Sequence, residues 1–98
     1  METETDTSVH HIEGEDRGRI MLYALTTCQW CRKTKELLVG LGVAFDYLYM
    51  DELDEAEMET IYKKLTELNP RGSLPTLVVN NEVIVGFHED QIREAVLR

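Results

Sequence analysis

The chain has 98 residues, 43% of them apolar and 30% charged, which fits one small globular domain. Its net charge of −9 is uneven, −5 over residues 1–18 and −4 over the rest, and neither portion offers a basic stripe of the kind that binds nucleic acid. No apolar run reaches the length of a membrane span, and no signal-peptide pattern opens the chain, so we expect a cytoplasmic protein.

Residues 1–18 are rich in Thr, Glu and Asp and show no hydrophobic periodicity. They carry six acids against one base, which predicts a disordered acidic extension. We interpret His10 and His11 in this segment as a solvated pair rather than a metal site. Residues 19–98 are then expected to form the folded domain.

The first predicted element of that domain is a strand over Arg19–Leu25, because a short continuous apolar run is typical of a buried strand. A helix is predicted over residues 29–41, with Gly42 ending it. Aromatic residues predict a second strand over Phe45–Met50. The inner face of the helix is expected to hold Thr34, Leu37, Leu38 and Leu41.

A second helix is predicted behind Asp54-Glu55-Ala56-Glu57, which is typical of a capped helix start, and Asn69-Pro70 ends it. Its apolar residues at helical spacing are Met58, Ile61, Tyr62, Leu65 and Leu68. Two short strands, Thr76–Val79 and Val83–Val85, flank Asn80-Asn81-Glu82, and this pattern predicts a hairpin. A last helix is expected to turn its apolar side inward, namely Ile92, Ala95 and Val96.

The predicted order of elements is therefore β-α-β-α-β-β-α. A strand–helix–strand unit implies a parallel pair joined by a crossover, and the final two strands form an antiparallel hairpin. We expect an α/β fold with one four-stranded mixed sheet flanked by helices.

Both cysteines of the chain lie in Thr27-Cys28-Gln29-Trp30-Cys31, where the first strand gives way to the first helix. The helix N-terminus favours an anion, so a thiolate at Cys28 should be stabilised there. The first turns of the helix also carry three basic residues, Arg32, Lys33 and Lys35. Cys31 follows one turn later on the same side and can attack a mixed disulfide formed by Cys28. The spacing predicts a nucleophile and a resolving thiol.

Other uses of the cysteine pair stay open from the residues alone. Half a zinc site would need further ligands, and because only His88 and the two early histidines are available, zinc would require a partner chain. Two inert core thiols are a further interpretation. A structural disulfide would close too short a loop to stabilise the fold.

A second informative stretch is Gly72-Ser73-Leu74-Pro75-Thr76, in which a proline opens a predicted strand. Proline is tolerated at that position where its missing N–H is not needed. The peptide bond before it can be trans or cis, and this stretch alone fits both.

These stretches resemble the glutaredoxin family of the thioredoxin-like superfamily, and the resemblance covers residues 19–98. It is carried by Tyr23-Ala24-Leu25-Thr26-Thr27-Cys28-Gln29-Trp30-Cys31, by Leu74-Pro75-Thr76 and by Gly86-Phe87-His88-Glu89-Asp90. The three stretches occur in this order on the expected strand and helix pattern.

The resemblance implies a thioredoxin-like fold and a dithiol protein-disulfide reductase or electron carrier, in which Cys28 attacks and Cys31 resolves. It also implies a cis peptide at Leu74–Pro75 against the cysteines, with the Leu74 backbone pairing with an extended substrate. The protein is expected to act as a monomer on protein disulfides, with no bound cofactor or metal. The expected substrate-binding residues are Gln29, Trp30, Leu74, Pro75, Gly86, Phe87 and His88.

Three of these residues have more specific expectations. Trp30 is expected to be exposed and to offer an apolar platform to partner proteins. Phe87 fits either the substrate rim or a core plug beneath the last helix. His88 is expected to cap that helix rather than to transfer a proton.

Departures from the family pattern bear on the electron source. Leu25 stands where glutathione-using glutaredoxins usually carry a lysine, and Cys-Gln-Trp-Cys lacks the usual proline. The Gly-Phe-x-x-Asp-x-Ile shape of residues 86–92 is similar to NrdH-type redoxins, which feed ribonucleotide reductase and take electrons from a flavin reductase. The expected electron source is glutathione or a flavin disulfide reductase.

The alternative function is non-enzymatic. Some glutaredoxins hold a [2Fe–2S] cluster between the first cysteines of two chains, with glutathione as the remaining ligand. Cys28 would be that cysteine here, and the absence of the lysine at position 25 argues against this scaffold.

Overall fold

Five strands form one mixed sheet in the computed structural model, which describes residues 8–98. In chain order they are β1 (His10–Ile12), β2 (Ile20–Ala24), β3 (Phe45–Tyr49), β4 (Thr76–Val79) and β5 (Glu82–Val85). Their order across the sheet is β1-β3-β2-β4-β5, with β2 parallel to β3 and the other neighbours antiparallel. The predicted α/β fold with a mixed sheet is confirmed, with five strands instead of four.

Residues 8–98 contain three α-helices, namely α1 (Gln29–Leu41), α2 (Glu55–Leu68) and α3 (Glu89–Leu97). Helices α1 and α2 connect strands, and α3 follows β5. Helix α1 has the predicted bounds, and Gly42 ends it with a φ of +73°, a conformation that glycine adopts without strain. Asp54 and Glu57 form the predicted capping box of α2, each side chain accepting the backbone N–H of the other. Tyr62, predicted on the inner face of α2, is instead 49% exposed. None of the helices within residues 8–98 is long and apolar enough to cross a membrane.

Both faces of the sheet are covered, because successive residues of a strand point to opposite sides. Leu22 of β2 faces α1 and α3 and packs in a cluster with Leu38 and Ile92, all three fully buried. Tyr23 faces the other side, in a cluster with Leu65 of α2. A central strand buried on both sides explains why its sequence is a continuous apolar run.

The acidic segment before β2 is not disordered in the part that the structure describes, so that prediction is wrong for residues 8–18. Strand β1 extends the sheet by pairing with β3. The ring of His10 stacks on Tyr47 with centroids 4.9 Å apart, and His11 Nδ1 lies 2.6 Å from Asp46 Oδ1. The two histidines therefore lie in a strand of the sheet and contact β3, while their side chains stay 42% and 51% exposed to solvent. Residues 1–7 lie outside the described residues.

Candidate active site

Cys28 lies directly before α1, and both cysteines are free thiols. Its extended backbone (φ −89°, ψ 116°) turns the side chain back over the first turn of the helix, where Cys28 Sγ accepts the N–H of Cys31 at 3.1 Å. An N–H that points at a sulfur from a helix N-terminus favours negative charge on it. The geometry is that expected of an attacking thiolate.

Cys31 differs from Cys28 in its access to solvent, because it is only 1% exposed whereas Cys28 is half-buried. Burial, followed by the hydrogen bond with the Cys28 sulfur, raises the pKa of Cys31 to about 12. Cys31 therefore keeps its proton at neutral pH.

Iodoacetamide at neutral pH is expected to add a single group to the reduced native chain, at Cys28. The reason is that alkylation needs an accessible thiolate, and Cys31 is both buried and protonated. Intact mass and peptide mapping measure the result. The unfolded chain is the control and should take up two groups. Two additions to the native chain at similar rates would contradict the assigned difference.

Asp51 holds the loop that precedes Cys28. Its carboxylate accepts the hydroxyl of Thr26 and also the Thr26 backbone N–H, the latter at 3.0 Å. These two bonds lower the pKa of Asp51, so it is ionised at neutral pH. Nothing in the local sequence marks Asp51, because it reaches Thr26 only through the parallel pairing of β2 with β3.

The Leu74–Pro75 peptide is cis, as the family resemblance implied. The pairing of β2 with β4 places Thr76 opposite Tyr23. Because the two strands run antiparallel, the residues just before Thr76 lie beside the segment that leads from β2 to Cys28. The sheet thus brings the proline stretch and the cysteine stretch to one edge.

Asn69 organises the loop that carries Leu74–Pro75. Its side-chain amide donates to the backbone oxygen and the hydroxyl of Ser73 and to the hydroxyl of Thr76, each at 3.1 Å. Its Oδ1 accepts the N–H of Arg71 at 3.2 Å, and the residue is 5% exposed. Sequence reasoning predicted only a helix end here. The role in the loop was missed because the partners are set by the path of the loop, which has no local pattern.

The third stretch reaches the site through Gly86 and Phe87. Gly86 has a φ of +88°, which favours glycine, and its N–H donates to the Pro75 carbonyl at 2.9 Å. Phe87 stacks on Trp30, with ring centroids 5.9 Å apart and planes 25° apart. Trp30 is 54% exposed, as predicted, whereas Phe87 is half-buried against the core. Phe87 therefore combines the two expected positions, at the rim and over the core.

Gln29 and His88 complete the set of predicted site residues. Gln29 is the first residue of α1, and His88 precedes α3, where its side chain makes no capping hydrogen bond. His88 thus occupies the N-cap position of α3, as predicted, but caps the helix only with its backbone oxygen, which accepts the Ile92 N–H. Both side chains are exposed, and the geometry by itself assigns neither of them a role.

Within residues 8–98, no group of three or more His, Cys, Asp or Glu side chains is placed to hold a metal ion. Zinc or an iron–sulfur cluster at the cysteine pair would therefore need ligands from outside this part of the chain.

Known proteins are similar to this chain in sequence and in fold. The family model described as Glutaredoxin matches residues 20–84, which include both cysteines and Leu74–Pro75. A curated relative from Clostridium pasteurianum is described as an uncharacterized glutaredoxin-like 8.6 kDa protein in the rubredoxin operon. It is 30% identical over 78 residues, which cover 79% of this chain and 96% of the relative.

Two solved structures are similar in both sequence and fold. Methanoredoxin from Methanosarcina acetivorans is 48% identical with a TM-score of 0.86, and the match covers 95% of this chain and 98% of that one. The glutaredoxin from Methanosarcina mazei Go1 is 46% identical with a TM-score of 0.84, covering 91% of this chain and 87% of that one. Strand order, cysteine geometry and these matches agree, and the chain belongs to the glutaredoxin family of the thioredoxin-like superfamily.

Proposed function

We propose that this protein is a thiol–disulfide oxidoreductase that reduces protein disulfides, with Cys28 as the nucleophile and Cys31 as the resolving thiol. The observation that carries the proposal is the asymmetry of the pair. Cys28 is half-buried and its Sγ accepts the Cys31 N–H at 3.1 Å, whereas Cys31 is only 1% exposed. An accessible sulfur beside a covered one suits a two-step exchange.

In the first step the Cys28 thiolate attacks one sulfur of the substrate disulfide. The substrate S–S bond breaks, a mixed disulfide forms with Cys28, and the other substrate sulfur leaves as a thiolate that takes a proton from solvent. In the second step the Cys31 sulfur attacks Cys28 Sγ, and its proton passes to the departing substrate thiolate. The substrate gains two electrons and two protons, and the protein holds a Cys28–Cys31 disulfide.

The raised pKa of Cys31 fits this order of events. Part of the shift comes from the hydrogen bond and the charge interaction with the Cys28 sulfur, after the larger contribution of burial. When Cys28 enters a mixed disulfide, its sulfur can no longer carry a negative charge. The Cys31 thiol then ionises more readily, in the intermediate where it has to attack.

For the electron source we propose a flavin disulfide reductase rather than glutathione. Leu25, at the position of the usual family lysine, packs against the core cluster on the α2 side and offers no charge to a glutathione carboxylate. The likeness of residues 86–92 to NrdH-type redoxins supports the same source, with ribonucleotide reductase as a candidate acceptor.

The test is to reduce the oxidised protein either with glutathione or with NADPH and a thioredoxin reductase. Trp30, the only tryptophan, lies between the cysteines and reports the change by fluorescence. We expect rapid reduction by the flavoenzyme and slow reduction by glutathione. The Cys31→Ser variant, which cannot form the internal disulfide, is the control for reagent effects. Rapid reduction by glutathione would contradict the proposed electron source. A failure of both donors to reduce the protein would contradict it as well.

Anaerobic purification separates this proposal from the cluster-binding scaffold. A colourless monomer supports the oxidoreductase. A brown dimer whose visible absorbance depends on glutathione supports a [2Fe–2S] scaffold instead.

A further inference from the structure

Helix α1 differs in charge from the other two helices. It carries three bases, Arg32, Lys33 and Lys35, against one acid, Glu36. Helix α2 has four acids against two bases, and α3 has three acids against one base. The chain as a whole has a net charge of −9, whereas α1, which directly follows Cys28, has a net positive charge.

Lys33 places one of these charges beside the exposed aromatic pair. Its Nζ lies 5.9 Å from the centre of the Trp30 ring, and Trp30 stacks on Phe87. The side chain of Lys33 is exposed. An apolar platform and a cation thus adjoin each other on one flank of the cysteine site.

Arg32 lies on the other flank. It is exposed, and with Leu25, Thr26, Lys35, Tyr49 and the acid Glu36 it lines a groove of about 450 Å³ along the segment that precedes Cys28. Within residues 8–98, no carboxylate forms an ion pair with Arg32 or Lys33, whereas Arg17, Arg93 and Arg98 are each paired. The two cations nearest the cysteines therefore remain available to a partner.

The acids near the site are mostly engaged. Asp51 accepts two hydrogen bonds from Thr26, and Glu89 pairs with Arg93 at 2.8 Å. Glu36 lies one turn of α1 beyond Arg32, Asp90 lies in the first turn of α3, and both are exposed. Asp51 keeps its negative charge, so charges of both signs surround the site, and Arg32 and Lys33 are the cations next to the cysteines in the chain.

We propose that the substrates of the Cys28–Cys31 pair are disulfides in acidic protein segments, selected by Arg32 and Lys33; this rests on the proposed function and adds the substrate class to it. A partner with acidic residues beside its disulfide is drawn to the α1 surface and repelled by the acidic remainder of the protein. Approach is thereby restricted to the face that carries Cys28. A basic partner is instead repelled by the α1 surface and attracted to acidic surfaces away from the cysteines.

The test uses three disulfide peptides that are identical except for the residues flanking their cysteines, which are Asp, Asn or Lys. Reduced protein is mixed with each peptide in a single turnover, quenched with acid, and the oxidised fraction is counted by mass spectrometry after alkylation. We expect the acidic peptide to react about tenfold faster than the basic one at low ionic strength. Raising the salt from about 0.01 M to about 1 M shortens the Debye length from about 30 to about 3 Å and should remove the difference.

Two double variants show whether the α1 surface causes the preference for the acidic peptide. R32E/K33E should reverse the preference for the acidic peptide over the basic one. K63E/K64E changes the net charge by the same amount at two exposed lysines of α2 and should keep the preference. Because the readout is a ratio of two rates on one protein, a change in the reactivity of Cys28 itself cancels. The wild-type salt series decides the question if a variant fails to fold.

Equal rates for the three peptides overturn the inference and leave the proposed function standing. An equal loss of preference in both double variants also overturns it, because net charge rather than the α1 surface would then be responsible. If the reduced protein reduces none of the peptides, the proposed function itself fails.

Discussion

Cys28→Ser should abolish disulfide reduction, whereas Cys31→Ser should stop after the first step and accumulate a mixed disulfide with its substrate. A serine hydroxyl does not ionise at neutral pH and cannot form a disulfide, so loss of Cys28 removes the attacking group. Loss of Cys31 removes only the group that releases the substrate. Cys28→Ser should therefore be inactive, whereas Cys31→Ser should remain covalently bound to its substrate.

Non-reducing electrophoresis with a protein substrate measures this difference. A covalent adduct should appear for Cys31→Ser, disappear on addition of a reductant, and be absent for Cys28→Ser. Thermal melts of both variants are the control for folding, because Cys31 is buried and a hydroxyl is more polar than the thiol that it replaces. Comparable turnover by the two single variants would contradict the roles assigned to Cys28 and Cys31.

Leu38→Ala should cost about 2–5 kcal/mol of unfolding free energy, because it deletes buried methyl groups and leaves a cavity under α1. Leu38 is 0% exposed and lies in the core cluster that contains Leu22 and Ile92. Small domains have only about 5–15 kcal/mol in total, so a loss of this size is a large part of their stability. Urea unfolding of the reduced protein measures it.

Val39→Ala is the matched control, because Val39 is the next residue of the same helix and is 50% exposed. Its effect should stay within about 0.5 kcal/mol. Similar losses in the two variants would contradict the assignment of Leu38 to the inner face of α1. Peptide reduction by the folded fraction of Leu38→Ala shows whether the cavity also disturbs the cysteines that this helix carries.

The N-terminal segment shows why one strand escaped prediction. Strand β1 has three residues, and the segment around it is mostly acidic and polar, with no alternating apolar pattern. Its partners lie more than thirty positions away in β3, where His10 stacks on Tyr47 and His11 forms a hydrogen bond with Asp46. Such a strand is defined by long-range contacts, which composition does not encode.

The loop residues of the site show the same limit. Asn69 precedes a proline, which marks a helix end but not the four hydrogen bonds that its side chain makes. The contact of Phe87 with Trp30 joins the last loop to the first helix. In each case the sequence shows the residue but does not indicate which distant residue it contacts.

The sequence by itself determined the elements whose signals are local. Periodicity and caps fixed α1 and the start of α2, a continuous apolar run marked the central strand, and Cys28-x-x-Cys31 named the reacting groups. The tertiary structure alone decided which cysteine is covered, where β1 pairs, and how Asp51, Asn69 and Phe87 reach the site. The physical reason is distance along the chain. Backbone propensity and capping act within a few residues, whereas burial and side-chain pairing depend on which distant segments the sheet brings together.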